Sequence, residues 1–161
     1  MANRPTFILA VLLAAVMVLS GAATAAEETP DELRKKARRV TSYITLCETI
    51  GRVAIQVGGM LGNNPYDKAV TIYARDLSRL HLQFFQKLTP PEGAEALHKR
   101  VKEAIEEFAR AADAHYKADY AEGHKHRKNA IQQFLKAIAE IAKMRRKGTI
   151  PGYVPASSGR K

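Results

Sequence analysis

The chain has 161 residues, of which 46% are hydrophobic and 26% charged, and it carries a formal net charge of +10. That is the make-up of one ordinary folded domain and excludes an intrinsically disordered chain. The single cysteine, Cys47, excludes a disulfide within the chain, so apolar burial has to hold the core together.

Residues 1–25 read as a signal peptide. Arg4 precedes an unbroken apolar run over 7–19, and Ala23-Thr24-Ala25 is an A-x-A processing site. Cleavage after Ala25 would release the mature chain, without a transmembrane segment, into the periplasm or the exterior. Left uncleaved, the same segment is just long enough to anchor the protein in an inner membrane. Leu19-Ser20-Gly21-Ala22 has the outline of a lipoprotein box with alanine where the lipidated cysteine would stand, which argues against lipidation.

Four amphipathic segments fill the domain, 26–148, with helices expected at about 30–61, 65–88, 90–121 and 125–147. The first opens at Thr29-Pro30-Asp31-Glu32, a capping-box spacing with proline at the first helical position. Its inward stripe is Leu33, Ala37, Val40, Ile44, Cys47, Gly51, Ala54, Gly58 and Leu61, alternating steps of four and three. Gly51, Ala54 and Gly58 keep the second half thin, so that a neighbouring helix, or a second copy in a homodimer, can come close. Gly62-Asn63-Asn64-Pro65 ends this helix and caps the next, whose expected inward face is Tyr66, Val70, Tyr73, Leu77, Leu80 and Phe84.

Leu88-Thr89-Pro90-Pro91-Glu92 is the corner of the fold: a residue before proline leaves the α region, and proline is welcome in a first turn. Thr89 and Glu92 have capping-box spacing, so the third helix is expected to begin at the prolines, with Leu97, Val101, Ala104, Phe108, Ala111, His115 and Ala118 inward. It fades near Glu122-Gly123. The fourth places Ile131, Phe134, Ile138 and Ile141 inward and stops at Gly148, before a tail over 149–161. Helices joined by such short connections pack as an all-α, up-down-up-down four-helix bundle of coiled-coil-like seams.

The positive charge is unevenly placed. Residues 26–123 contain fifteen Lys or Arg against fifteen Asp or Glu, whereas 124–161 contain ten against the single acid Glu140. In the expected topology Arg34, Lys35, Arg38 and Arg39 share one pole of the bundle with Lys143, Arg145, Arg146 and Lys147. One reading is internal: a basic last helix matches an acidic third helix and its own dipole. The other is a docking surface for an anionic partner, namely lipid headgroups, envelope polysaccharide or an acidic protein patch. Nucleic acid is disfavoured, because no aromatic residues interleave with the basic ones for base stacking.

His115, Asp119, Glu122, His124 and His126 gather around the expected turn between the third and fourth helices, a donor set that suits zinc, copper or nickel. A metal-binding or metal-buffering protein is therefore the alternative function. No enzyme signature is present: no G-x-S-x-G, no phosphate-cradling glycine loop, and no second E-x-x-H beside Glu95-Ala96-Leu97-His98 to make the pair a di-iron bundle needs. No cofactor is called for, and Cys47 on the inward stripe reads as a small buried hydrophobe.

The Leu88-Thr89-Pro90-Pro91 corner followed by Leu97-His98 resembles that of small exported bacterial four-helix-bundle proteins of unassigned function, over roughly 80–145. It is also similar to the corner of the haem-binding four-helix cytochromes. The C-x-x-C-H of covalent attachment is missing, however, the mature chain has no Met before Met60, and no His follows His126. The resemblance implies an exported helical domain and transfers no catalytic residue. The expectation is an exported, non-enzymatic bundle that works by binding or structural association in the envelope.

Overall fold

A computed structural model of the protein describes residues 29–147. The signal segment, Gly148 and the tail over 149–161 lie outside the described residues. The chain divides between Glu32 and Leu33 into two units, and the bundle belongs to the second. The described residues are all-helical, without a strand, and fit a four-helix bundle: α1 (Pro30–Asn63), α2 (Lys68–Gln86), α3 (Glu95–Tyr116) and α4 (Tyr120–Lys147).

α1 begins where its capping box places it. Thr29 Oγ1 accepts from the Glu32 amide at 3.3 Å, and Glu32 Oε2 accepts from the Thr29 amide at 2.8 Å. These hydrogen bonds hold the Glu32 carboxyl below the usual carboxylate range. Val40, Ile44, Cys47, Gly51, Ala54, Gly58 and Leu61 are all buried, together with Tyr43, Ile50 and Val57, while Leu33 at the start of the stripe is exposed. By length and composition α1 could cross a membrane, but that apolar face is the one packed inside the bundle. Its thin half is covered by α4. A Cβ at Gly51 would meet Ile138 and Phe134 at 3.4 Å, and one at Gly58 would meet Ile131 at 3.4 Å. The glycine face is thus filled within one chain and is not left for a second copy.

Contacts between helices fix their directions. Glu48 and Gly58 of α1 touch Arg145 and Arg127 of α4, Arg75 and Phe85 of α2 touch Asp113 and His98 of α3, and Arg100 and Glu107 of α3 touch Glu140 and His126 of α4. Each of these pairs runs antiparallel.

The structure corrects the expected face of α2. Its buried residues are Thr71, Ala74, Ser78 and Phe85; of the expected face Val70 and Leu77 pack partly buried against the core, whereas Tyr66, Tyr73, Leu80 and Phe84 are exposed. Two of the buried side chains are polar, and each has a local partner: Thr71 Oγ1 donates to the Asp67 carbonyl and Ser78 Oγ to that of Arg75, both at 2.9 Å. Small residues on the inner face let α2 lie close to α3, where Arg75 and Arg79 both reach Asp113 Oδ1, at 3.0 and 2.9 Å.

Four boundaries also move. Asp67, not Asn64, caps α2: its Oδ1 accepts from the Ala69 and Val70 amides at 2.8 and 3.2 Å. At the proline corner the box between Thr89 and Glu92 does not form. Gly93 turns left-handed at φ 81°, Glu92 pairs with Lys36 at 3.3 Å, and α3 starts only at Glu95. α3 ends at Tyr116 rather than near Gly123, because Ala118 adopts φ 62° and closes a Schellman turn. The Asp119 amide donates to the Ala114 carbonyl at 2.9 Å and the Ala118 amide to that of His115 at 3.0 Å. Asp119 then caps α4, its Oδ1 accepting from the Glu122 amide at 3.2 Å.

Candidate anion-binding pole

The antiparallel pairing of α1 with α4 brings the start of one helix beside the end of the other, and the α2–α3 corner joins them. The segments at this end, 33–48, 84–103 and 136–147, hold fourteen Lys or Arg against five Asp or Glu. The remaining segments, 49–83 and 104–135, hold nine against seven. The pole therefore carries most of the domain's net charge.

Not every basic residue assigned to the pole is available there. Arg145 Nη1 lies 2.5 Å from Glu48 Oε2, while Arg52 Nη2 binds Glu48 Oε1 at 2.7 Å. The two guanidiniums hold the Glu48 carboxyl below its ordinary range, chiefly through the Arg52 hydrogen bond. Arg145 is thus a latch between α1 and α4. Arg146 turns back along its own helix to the Ala142 carbonyl at 3.3 Å. Lys35, Arg38, Arg39, Lys143 and Lys147 form no ion pair among the described residues, and Arg34 stands in the same first turns of α1.

Two grooves flank these cations. One, of about 600 Å³, has Arg38, Arg39, Ser42 and Thr89 at its polar edge and Tyr43, Leu46, Leu88, Pro90 and Pro91 as an apolar floor. The prolines of the corner line that groove beside Leu88. Beneath it Tyr43 Oη and His98 Nδ1 are 2.9 Å apart, and the His98 ring stacks on Phe85 with centroids 4.6 Å apart. Burial, then its neighbour Cys47, pushes the Tyr43 phenol up, and burial with nearby Lys102 pushes His98 down, so both are neutral at pH 7. The second groove, of about 540 Å³ between α3 and α4, is lined by Arg100, Lys143, Met144 and Lys147. Its one acid, Glu140, is held by Arg100 at 2.5 Å.

No family model, curated protein or solved structure matches the chain. The chemistry of the pole has to carry its own assignment.

Of the five residues expected to hold a metal, Asp119, Glu122 and His126 line one groove with Arg110 and Lys117, while His115 and His124 stand apart from it. His115 is buried against Gly123, with Tyr120 edge-on at 5.8 Å. Asp119 is the α4 cap. His124 Nδ1 faces Arg127 Nη2 at 3.1 Å, and His126 Nδ1 binds Glu107 Oε2 at 2.8 Å with Glu122 on its other side at 3.6 Å. Glu122 itself meets Lys125 at 3.2 Å. Among the described residues no group of three or more such side chains converges as a metal site. The reason is the early end of α3: Glu122, His124 and His126 fall on the first turns of α4, where Glu122 and His126 share a face one turn apart and His124 is turned to Arg127. Cys47 is buried, and burial pushes its thiol up to about 11, so no thiolate nucleophile is available at neutral pH.

Sequence reasoning located the cations but not the apolar groove beside them. Its signal was present in the paired prolines next to Leu88, opposite Tyr43 and Leu46 of α1, yet it could be read only once the register of α1 against the corner was known.

Proposed function

We propose that the protein is an exported, non-enzymatic helical bundle that docks on anionic phospholipid through its basic pole. What supports this reading is the groove of Arg38 and Arg39: two cations without an ion pair among the described residues stand beside apolar side chains, the complement of a phosphate head joined to an acyl chain. Lys143 and Lys147 extend the cationic surface to the other side of the α1–α4 seam. Each basic group near an anionic membrane contributes about 1 kcal/mol, falling off within a Debye length. Four such cations would together give binding that salt weakens strongly.

The test is co-sedimentation of residues 26–161 with vesicles of phosphatidylglycerol and phosphatidylcholine. Binding is expected on the mixed vesicles at low salt, lost in half-molar salt (roughly a threefold rise over physiological ionic strength), and absent on phosphatidylcholine alone. Reversing Arg38, Arg39, Lys143 and Lys147 to glutamate should weaken binding by more than about a hundredfold, since each reversal removes about 1 kcal/mol of attraction and adds repulsion. Arg145→Glu is excluded from that set because it would break the latch on Glu48. Full binding by the fourfold variant would sink the assignment, and retention on envelope polysaccharide but not on vesicles would redirect it. The export half of the proposal predicts that N-terminal sequencing of protein secreted by its own leader begins at Ala26.

A further inference from the structure

The end of the bundle opposite the basic pole holds a second cavity, of about 360 Å³, which docking at the pole does not use. It is framed by Tyr66, Lys68 and Ile72 around the start of α2 and by His115, Tyr116 and Tyr120 at the α3–α4 turn. Two independent observations single it out. The first is His115. Only 5% of it is exposed, yet neither ring nitrogen makes a hydrogen bond of good geometry, and the Pro65 backbone offers only a weak one. A buried polar group without a partner costs about 1–3 kcal/mol, so a sound fold retains one where something else satisfies it. The ring cannot swing out to water, because one edge is pressed on Gly123: a Cβ there would lie 2.5 Å from His115 Cδ2. Burial, with smaller effects from Arg127 and His124, holds the imidazole below its ordinary pKa. It therefore offers one N–H and one lone pair at neutral pH.

The second observation is the aromatic wall. Tyr66 and Tyr120 meet edge to face with centroids 4.8 Å apart, and Arg75 sits 4.0 Å above the Tyr116 ring and fixes it. Tyr66 is nonetheless 76% exposed and Tyr116 53%, large rings left in water at the mouth of a cavity. The charges around it divide clearly. The carboxylates of Asp67 and Asp119 are occupied as caps on the α2 and α4 amides, and Arg75 is bonded to Asp113. Arg127 donates to the Gly58 carbonyl. Lys68 is exposed and forms no ion pair among the described residues.

We propose that this cavity binds a small single-ring aromatic carboxylate. The tyrosine rings take its ring, the Lys68 ammonium its charge, and His115 supplies a buried hydrogen-bonding group. The volume lies at the small end of ligand sites, roughly 300–1,000 Å³, and suits one ring rather than a macrocycle.

The test is titration of the full mature chain with benzoate, followed by NMR of the histidine and tyrosine side chains. Saturable shifts of His115, Tyr66 and Tyr120 at millimolar benzoate are expected, with benzyl alcohol and acetate each weaker by about tenfold, or 1.4 kcal/mol. Lys68→Gln and Tyr66→Ala alter exposed residues and leave the fold intact. The first should weaken benzoate about threefold, as loss of an exposed charge pair does, without affecting benzyl alcohol. The second should weaken both ligands. The proposal is overturned if His115 does not respond, if acetate matches benzoate, or if both variants bind as the parent does. An Arg38→Glu/Arg39→Glu variant that abolished benzoate binding would overturn it too, by placing the anion at the other pole.

Discussion

Replacing Phe85 by alanine should destabilise the protein by about 3–5 kcal/mol, whereas the same change at its neighbour Phe84 should cost less than about 1 kcal/mol. The two side chains are chemically identical and adjacent in sequence, so only the rotation of α2 separates them. Phe85 is fully buried and stacks on His98; Phe84 is 47% exposed. The cost at Phe85 combines lost transfer energy with the cavity left beside His98, a site that rigid α1 and α3 would not collapse to fill. Against a total stability of about 5–15 kcal/mol for such a domain, that loss lowers the melting temperature by around 10 °C or more. Urea unfolding followed by helical circular dichroism measures both variants. Equal losses would mean that α2 presents the stripe of Tyr73, Leu80 and Phe84 to the core after all.

That rotation also marks where the sequence stops being legible. α1 could be read because its seam is unambiguous: small and branched residues at steps of four and three, begun by a side-chain cap that needs no tertiary partner. α2 carries two competing stripes. Apolar volume favours Tyr66, Tyr73, Leu80 and Phe84, but Thr71, Ala74 and Ser78 permit the closer approach to α3, and Arg75 and Arg79 then find Asp113. Hydrophobicity alone ranks those two faces wrongly, because the serine and threonine hydroxyls satisfy themselves on their own backbone. The end of α3 was hidden for a different reason. Glycine is the usual left-handed residue at a helix end, and Gly123 drew the boundary toward itself, whereas alanine at 118 carries no such mark. The histidines expected to meet at a loop were separated by that same error of a turn and a half. At the pole, the excess of cations is a property of composition and could be counted. That Arg145 is committed to Glu48 depends on the register of two helices, which no local pattern encodes.

Gly123, relieved of any role as a helix stop, makes the second strong prediction. Inside α4 an alanine should favour the helix by up to about 1 kcal/mol over glycine. Gly123→Ala should nevertheless destabilise the protein by about 1–3 kcal/mol, as overpacking a buried contact does. The new Cβ would lie 2.5 Å from His115 Cδ2 and 2.9 Å from Nε2, and that ring is buried between α3 and α4. Gly59→Ala is the control, because nothing stands within 4 Å of a Cβ there and the helical gain of up to about 1 kcal/mol is free to appear. The clash is specific to one ring, so His115→Ala should convert Gly123→Ala from harmful to neutral or favourable. A double-mutant cycle should then give a coupling of about 1–3 kcal/mol. Urea unfolding at neutral pH, where burial keeps the imidazole uncharged, supplies all five stabilities. If Gly123→Ala stabilised as Gly59→Ala does, the close crossing of α4 over His115 would be wrong, and with it the reason that an unbonded imidazole stays fixed beside the tyrosine cavity.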